Sequence, residues 1–295
     1  MYEPSTSLPE PSTSLPEPST SLPEPSTSLP EHSKTMSDYL EVLNENHTVR
    51  IPLGNDDVFK FYVTEDDFKL LSNKQQTSDG LRITLNDLTA NKTINDLKSD
   101  TNSVVIYPLF TSAAYKQNAF YYYYAGVCDE SCLTDISFEN PEFIYTSSGI
   151  SAQILYALGY DFLTDVQVDR NPELLKNYDN VILLHNEYVT KKMFDAISTH
   201  PHLIFLHPNA LYAEVEVNYD QNTITLIRGH NYPEQEIYNG FDYAIEEKFH
   251  KYEYDADCLE WEFIEIPNGH HLNCYPERLV ISDLGFLIKM NSLLK

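Results

Sequence analysis

The spacing of apolar positions changes character twice along the chain. Over residues 3–30 there is one apolar side chain in each seven-residue unit: Glu3-Pro4-Ser5-Thr6-Ser7-Leu8-Pro9 recurs from Glu10, Glu17 and Glu24. One Leu per unit cannot build a core, and two prolines per unit exclude both helix and sheet ladder. The repeat predicts a disordered, extended, acidic arm over residues 1–36. The composition then turns β-type at Thr48–Leu53 and Val58–Val63, and Asp66–Leu71 reads as a helical turn. Residues 37–102 are therefore expected to form a small β-rich N-terminal region, with the polar stretch 72–99 unassigned.

From Ser103 the pattern is regular. Ser103–Tyr107 (SVVIY), Val181–His185 (VILLH) and Leu203–His207 (LIFLH) are short apolar runs without alternation, as in strands covered on both faces. Leu163–Val168 reads as another strand. Ser148–Leu158 carries Ile150, Ile154, Leu155 and Leu158 at helical spacing and is stopped by Gly159. Pro172 opens a short helix that runs to Asn177. Thr190 caps a further helix in which Met193, Phe194 and Ile197 face inward. Strand–helix–strand order with short links predicts an α/β domain over residues 103–295, with an open, mostly parallel sheet and right-handed crossovers. Ala213–Tyr219 and Thr223–Arg228 alternate around Asp220-Gln221-Asn222, which predicts an antiparallel hairpin extending that sheet. Glu260–Ile266 reads as a strand and Leu284–Leu294 as a closing helix.

Charge removes some classes of partner. The chain has 45 acidic and 19 basic residues, a formal charge of −26. Only five of the acids lie in the arm, so the folded part itself repels nucleic acid phosphates and anionic lipid head groups. No apolar run approaches the ~20 residues of a membrane helix. Met1-Tyr2-Glu3-Pro4 lacks the basic start and apolar stretch of a secretory signal. Four cysteines form two local pairs, Cys128 with Cys132 and Cys258 with Cys274. They suit two small disulfide loops in an oxidising compartment, and the Pro/Ser/Thr arm also suits an extracellular or cell-surface setting. A four-sulfur zinc site ranks lower, because neither pair has C-x-x-C spacing. Compartment and oligomeric state stay open on the sequence.

The candidate chemistry follows from the strand order. Open parallel sheets bind ligands beyond the carboxyl ends of their strands. Two neighbouring strands here run into His185-Asn186-Glu187-Tyr188 and His207-Pro208-Asn209. Strand capping would account for a single His, but His185, Glu187, His207 and Asn209 at one edge point to binding or catalysis. No cysteine lies between Cys132 and Cys258, and neither a G-x-S-x-G elbow nor a Gly-rich phosphate loop is present. Carboxylate, imidazole, amide and phenol chemistry remain, with or without a metal. Packing explains most of the 22 tyrosines, including the row Tyr121 through Tyr124, although a phenolate also suits Fe(III).

Three stretches carry a resemblance. Thr111-Ser112-Ala113-Ala114-Tyr115 resembles a T-x-x-A-Y-N motif. Leu174 to Asn180, running into Val181–His185 and then Asn186-Glu187-Tyr188-Val189-Thr190, resembles a strand followed by H-x-E-Y-W-T. Phe205-Leu206-His207-Pro208-Asn209-Ala210-Leu211-Tyr212 resembles G-G-N-x-x-Y-W, and Gly159-Tyr160-Asp161 matches a G-Y-D before a strand. These motifs, in this order, are similar to the C-terminal domain of the large subunit of N,N-dimethylformamidase and its relatives. The similarity covers about residues 103–217. It implies a glutamine-amidotransferase-like α/β fold and a mononuclear iron, held by two Tyr and one Glu, that activates water for hydrolysis of a small-molecule amide. By the resemblance, His185, Glu187 and Asn209 form the catalytic group. Tyr115, Tyr145 and Glu187 become the metal ligands, Tyr145 being the choice for the second phenol. The chain departs from the family where Lys116 replaces Asn, Val189 replaces Trp, and His207-Pro208 replaces two glycines. Losing the glycine pair removes room for close backbone approach. The rival expectation is a non-catalytic, acidic binding or cell-surface module on the same fold.

Because the arm has no core-forming pattern, deleting residues 1–31 is expected to leave the melting temperature within a few degrees of the full chain. A larger fall in a thermal melt would assign the arm a structural role.

Overall fold

The computed structural model describes residues 35–44, 48–53, 56–72, 81–86, 92–98, 100–139, 143, 145–242 and 257–294. The predicted disordered arm lies outside these residues, save for its last two positions. Met36–Asn44 is helical. Strands β1 (Thr48–Ile51), β2 (Phe59–Thr64) and β3 (Arg82–Leu85) then form an antiparallel sheet in that order. In β2 the period-two pattern buries Phe59, Phe61 and Val63. The sheet packs against the helix Gly149–Ala157, and Gln153 ties the two together. Gln153 Oε1 accepts from the Ile83 N–H at 3.1 Å, and Gln153 Nε2 donates to the Leu81 carbonyl at 2.9 Å.

Next in the chain come β4 (Ser103–Tyr107), β5 (Ile136–Ser137), β6 (Asp161–Thr164), β7 (Asn180–Leu183), β8 (Tyr188–Val189), β9 (Leu203–Phe205), β10 (Ala213–Asn218), β11 (Thr223–Arg228), β12 (Phe263–Ile266) and β13 (Gly269–Leu272). Six of them form the central sheet, in the order β12-β13-β9-β7-β4-β6. Every neighbouring pair from β13 to β6 is parallel, and β12 closes the edge antiparallel to β13. The expected mixed α/β architecture with an open, mostly parallel sheet is present. β4 and β7 occupy its middle with every residue buried, as their unalternating apolar runs require.

The hairpin forms as expected, with β10 antiparallel to β11, but it does not extend the central sheet. It belongs to a separate four-stranded sheet ordered β5-β11-β10-β8. The reason lies in β8, whose two residues pair parallel with Ala213 and Glu214 after the chain has left the central sheet. The central sheet is extended instead by β13 and β12. Residues Leu163–Val168 also divide differently from expectation. The strand stops at Thr164, and Asp165–Arg170 is helical. A reciprocal cap decides this: Thr164 Oγ1 accepts from the Gln167 N–H at 3.2 Å, and Gln167 Oε1 accepts from the Thr164 N–H at 2.8 Å. Thr190 caps the helix Lys191–Ser198 as its sequence position predicts.

Cys128 is bonded to Cys132 and Cys258 to Cys274, a pairing compatible with an extracellular setting. Among the described residues no helix is long and apolar enough to cross a membrane.

Just past Cys274, Glu277 is fully buried at the N-terminus of the helix Gly149–Ala157. It accepts from the backbone N–H of Ile150 at 2.8 Å and of Ser151 at 3.1 Å. Burial outweighs these bonds and pushes its pKa from an ordinary 4.5 to about 7. The folded chain therefore holds this proton more tightly than the unfolded one. The resulting stability is full below the unfolded value and is lost as pH rises through about 7. A shift of this size corresponds to roughly 3 kcal/mol at most. Relative to wild type, Glu277→Gln is expected to gain stability between pH 5 and pH 8, read from urea midpoints. The same difference at both pH values would show that Glu277 does not titrate in this range.

Candidate functional site

The site lies where the chain passes from one sheet to the other. β7 ends at Leu183 and β8 begins at Tyr188. The four residues between, Leu184, His185, Asn186 and Glu187, have fully buried side chains. Their backbone is tied on both sides. The His185 N–H donates to Ser148 Oγ at 2.9 Å, and the Leu211 N–H donates to the Asn186 carbonyl at 2.8 Å. The Glu187 carbonyl accepts from the N–H groups of Tyr212 at 3.0 Å and Ala213 at 2.9 Å. A corner satisfied in this way holds its side chains in fixed positions.

Glu187 is the centre of the cluster. Tyr115 OH donates to Glu187 Oε2 at 3.0 Å, and Tyr121 OH lies 3.3 Å and 3.4 Å from Oε1 and Oε2. The two phenol oxygens are hydrogen-bonded to each other, and the rings stack with centroids 3.8 Å apart. Tyr115 directly follows the buried helix Leu109–Ala114, whose first turn is fixed by Asp165: the Phe110 N–H donates to Oδ2 at 2.8 Å. Tyr121 comes from the short helix Phe120–Tyr124.

Two imidazoles complete the cluster. His185 Nε2 is 3.1 Å from Glu187 Oε2, and His230 Nε2 is 2.7 Å from Oε1. In neither ring does the N–H direction meet the oxygen, so both nitrogens are buried without a hydrogen-bond partner. His185 Nδ1 is 2.6 Å from the Thr146 carbonyl and 2.8 Å from Tyr275 OH. A carbonyl only accepts, so Nδ1 donates to Thr146, which fixes the ring with Nε2 turned to the carboxylate. His207 stacks on His185 at 3.6 Å, and Tyr275 stands edge-on to His207 at 3.9 Å.

Burial alone would raise the Glu187 pKa. The contacts with His185 and His230 outweigh it and hold the carboxyl well below the usual range. Burial, reinforced by the Glu187 charge, pushes the Tyr115 and Tyr121 phenols well up. The same desolvation holds His207 far down, so that ring is neutral. The site is thus one buried carboxylate facing two protonated phenols and two ring nitrogens.

The sequence-predicted residues His185, Glu187 and Tyr115 are brought together. Asn209 is half-buried and joins through His207, whose Nδ1 accepts its backbone N–H at 3.1 Å. The side chain of Tyr145 lies outside the described residues. Sequence reasoning missed Tyr121, His230 and Tyr275. Tyr121 was one of four phenols in a row with nothing to single it out. The signal for His230 was present: Gly229 and Asn231 flank it directly after a strand, a composition that marks a tight turn. Among the described residues no three His, Cys, Asp or Glu side chains are grouped so as to hold a metal on their own, so a metal here depends on the phenols.

Tyr275→Phe removes the hydroxyl from His185 Nδ1 and leaves the Thr146 carbonyl in place. It is expected to cost about 1 kcal/mol in urea unfolding. No change would show that Thr146 alone holds the ring.

No family model matches this chain and no curated protein is detectably similar to it in sequence, so the functional reading rests on the residues themselves and their geometry.

Proposed function

We propose that the Glu187 cluster is the metal centre of an amide (C–N bond) hydrolase, on an amidotransferase-like α/β fold of the dimethylformamidase kind, with iron held by Tyr115, Tyr121 and Glu187. One observation carries this reading. Two phenol oxygens and a carboxylate from three separate segments meet at one buried point, beside ring nitrogens that have no hydrogen-bond partner. Hard oxygen donors of this kind suit Fe(III). A ring nitrogen held close to a carboxylate oxygen without a hydrogen bond to it is what a shared cation would produce. Tyr121 takes the place given to Tyr145 on the sequence.

When bound, the ion would act as a Lewis acid and lower the pKa of water. The chain's own residues supply the rest. Glu187 is ionised and fixed by the corner between the sheets. His185 is held through Nδ1 and turns Nε2 to the site, where it takes a proton from the attacking water and delivers it to the leaving amine. His207 fills the space behind His185 with a stacked ring where the family has glycine. Asn209, in the segment that follows the next strand, is assigned to orient the substrate carbonyl. Glu187 is fully buried, which keeps bulk water from the carboxylate.

The two disulfides and the half-buried rings of Tyr123, Tyr124 and Tyr232 beside the cluster favour the second reading, a binding or cell-surface module that holds a ligand without turnover.

The test loads purified protein with iron and records uptake, visible phenolate-to-iron absorption and amine release from small amides. Wild type is expected to bind one equivalent and absorb. Glu187→Gln and Tyr121→Phe should each weaken binding by more than the about 10–100-fold typical of losing a supporting partner, with the fold retained. Tyr145→Phe should keep the band. Absence of absorption in wild type rejects the iron centre. Absorption without amine release favours the binding module.

A further inference from the structure

The turn after β11 does something that the cluster's other elements do not. Gly229, His230 and Asn231 all have positive φ, at 123°, 53° and 62°. Left-handed backbone is unfavourable for a residue with a side chain, and two such residues in succession persist only where their surroundings impose them. Here the surroundings do. Gly229 and Tyr232 exchange backbone hydrogen bonds at 2.9 and 3.0 Å. The His230 N–H donates to the Tyr238 carbonyl at 2.8 Å, and the Asn231 N–H to the Ile237 carbonyl at 2.7 Å. A Cβ at Gly229 would lie 2.9 Å from Ala213 Cβ. Ala213 is also the residue whose N–H holds the Glu187 carbonyl. The turn is therefore docked against the strand that anchors the carboxylate.

Its product is one ring in one place. The His230 imidazole is packed by Tyr212, Tyr124 and Tyr188 at centroid distances of 4.6, 5.4 and 5.7 Å. Nε2 is buried and 2.7 Å from Glu187 Oε1, yet its N–H direction misses the oxygen. A simple counter-ion to Glu187 would point its N–H at the carboxylate. Two atoms that share an ion behave differently. Ligands about 2.0–2.2 Å from a metal and at right angles lie about 3 Å apart, with both lone pairs turned to the ion rather than to each other.

We infer that His230 is a fourth protein donor, through Nε2, to the cation held by Tyr115, Tyr121 and Glu187. The inference rests on the metal reading above and adds a ligand from beyond residues 103–217, where the resemblance ends. It makes the donor set three oxygens and one nitrogen. His185, whose Nε2 lies 3.1 Å from Glu187 Oε2, keeps the proton-carrying role given to it above and is left outside the set.

The experiment uses the full chain loaded with ferrous iron and nitric oxide as a paramagnetic probe, read by pulsed electron paramagnetic resonance. Wild type should show modulation from one directly bound imidazole nitrogen, and labelling the histidines with 15N should change it. His230→Asn keeps a residue that tolerates the left-handed turn. It should lose the modulation and bind iron about 10–100-fold more weakly. His185→Ala should keep the modulation. Iron bound, with phenolate absorption in its ferric form, but no imidazole nitrogen modulation from the nitrosyl form of the wild type overturns the fourth ligand and leaves the proposed centre intact. So does modulation that survives His230→Asn or disappears in His185→Ala. Wild type that takes up no iron overturns both. The 15N comparison is made on wild-type protein and holds even if a variant fails to fold.

Discussion

Taking the Glu187 carboxylate out of water costs several kcal/mol, and the surrounding structure is arranged around that cost. Both carboxylate oxygens lie among phenols and imidazoles, and the side chain has no exposed surface. The partners come from five places: the end of the helix after β4, the short helix of tyrosines, the corner itself, the turn after β11, and, through His185, the loop that carries Tyr275. If the carboxylate were removed, the buried phenols would lose their common acceptor. A core built only for stability would use packed apolar side chains here, which are often neutral or better. The retention of a buried charge is the strongest physical argument that the cluster has a task.

The two sheets make the corner possible. β7 must sit in the middle of the parallel sheet to be covered on both faces, and β8 must leave it to pair with β10. The four residues between them cannot follow either ladder, so their polar backbone groups are met by Ser148, Leu211, Tyr212 and Ala213. The same contacts that satisfy the backbone therefore set the direction of His185 and Glu187. The C-terminal segment secures the other side. Cys274 is bonded to Cys258, Tyr275 meets His185 and Glu277 meets the helix Gly149–Ala157, so three residues within one short loop tie the site to two different elements.

Much of this was legible in the sequence where the cause is local. Unalternating runs gave β4, β7 and β9, because burial on both faces leaves no room for polar alternation. Thr190 marked its helix because a side-chain oxygen at that position satisfies an otherwise unpaired N–H. The strand order placed His185 and Glu187 at one sheet edge, and they do meet. What failed depended on distant partners. The hairpin alternates like any strand pair, and nothing in it states which sheet it joins. That choice is made by Tyr188 and Val189. Val166 and Val168 are the exception, a local miss: their composition is strand-like, but the Thr164–Gln167 cap, a T-x-x-Q pattern, turns them into a helix. Tyr121 reaches Glu187 while Tyr123 faces Tyr232, a difference set by the helix and invisible in a row of identical residues. His230 and Tyr275 arrive from segments whose aromatic and acidic composition has no period.

The central claim is that the phenols of Tyr115 and Tyr121 and the Glu187 carboxylate are arranged around a cation and not only around one another. Anomalous diffraction at the iron edge, from crystals of iron-loaded protein, tests it most directly. The account predicts a single strong peak within bonding distance of the three oxygens. A map without a peak there, in protein shown to carry iron in solution, would contradict it.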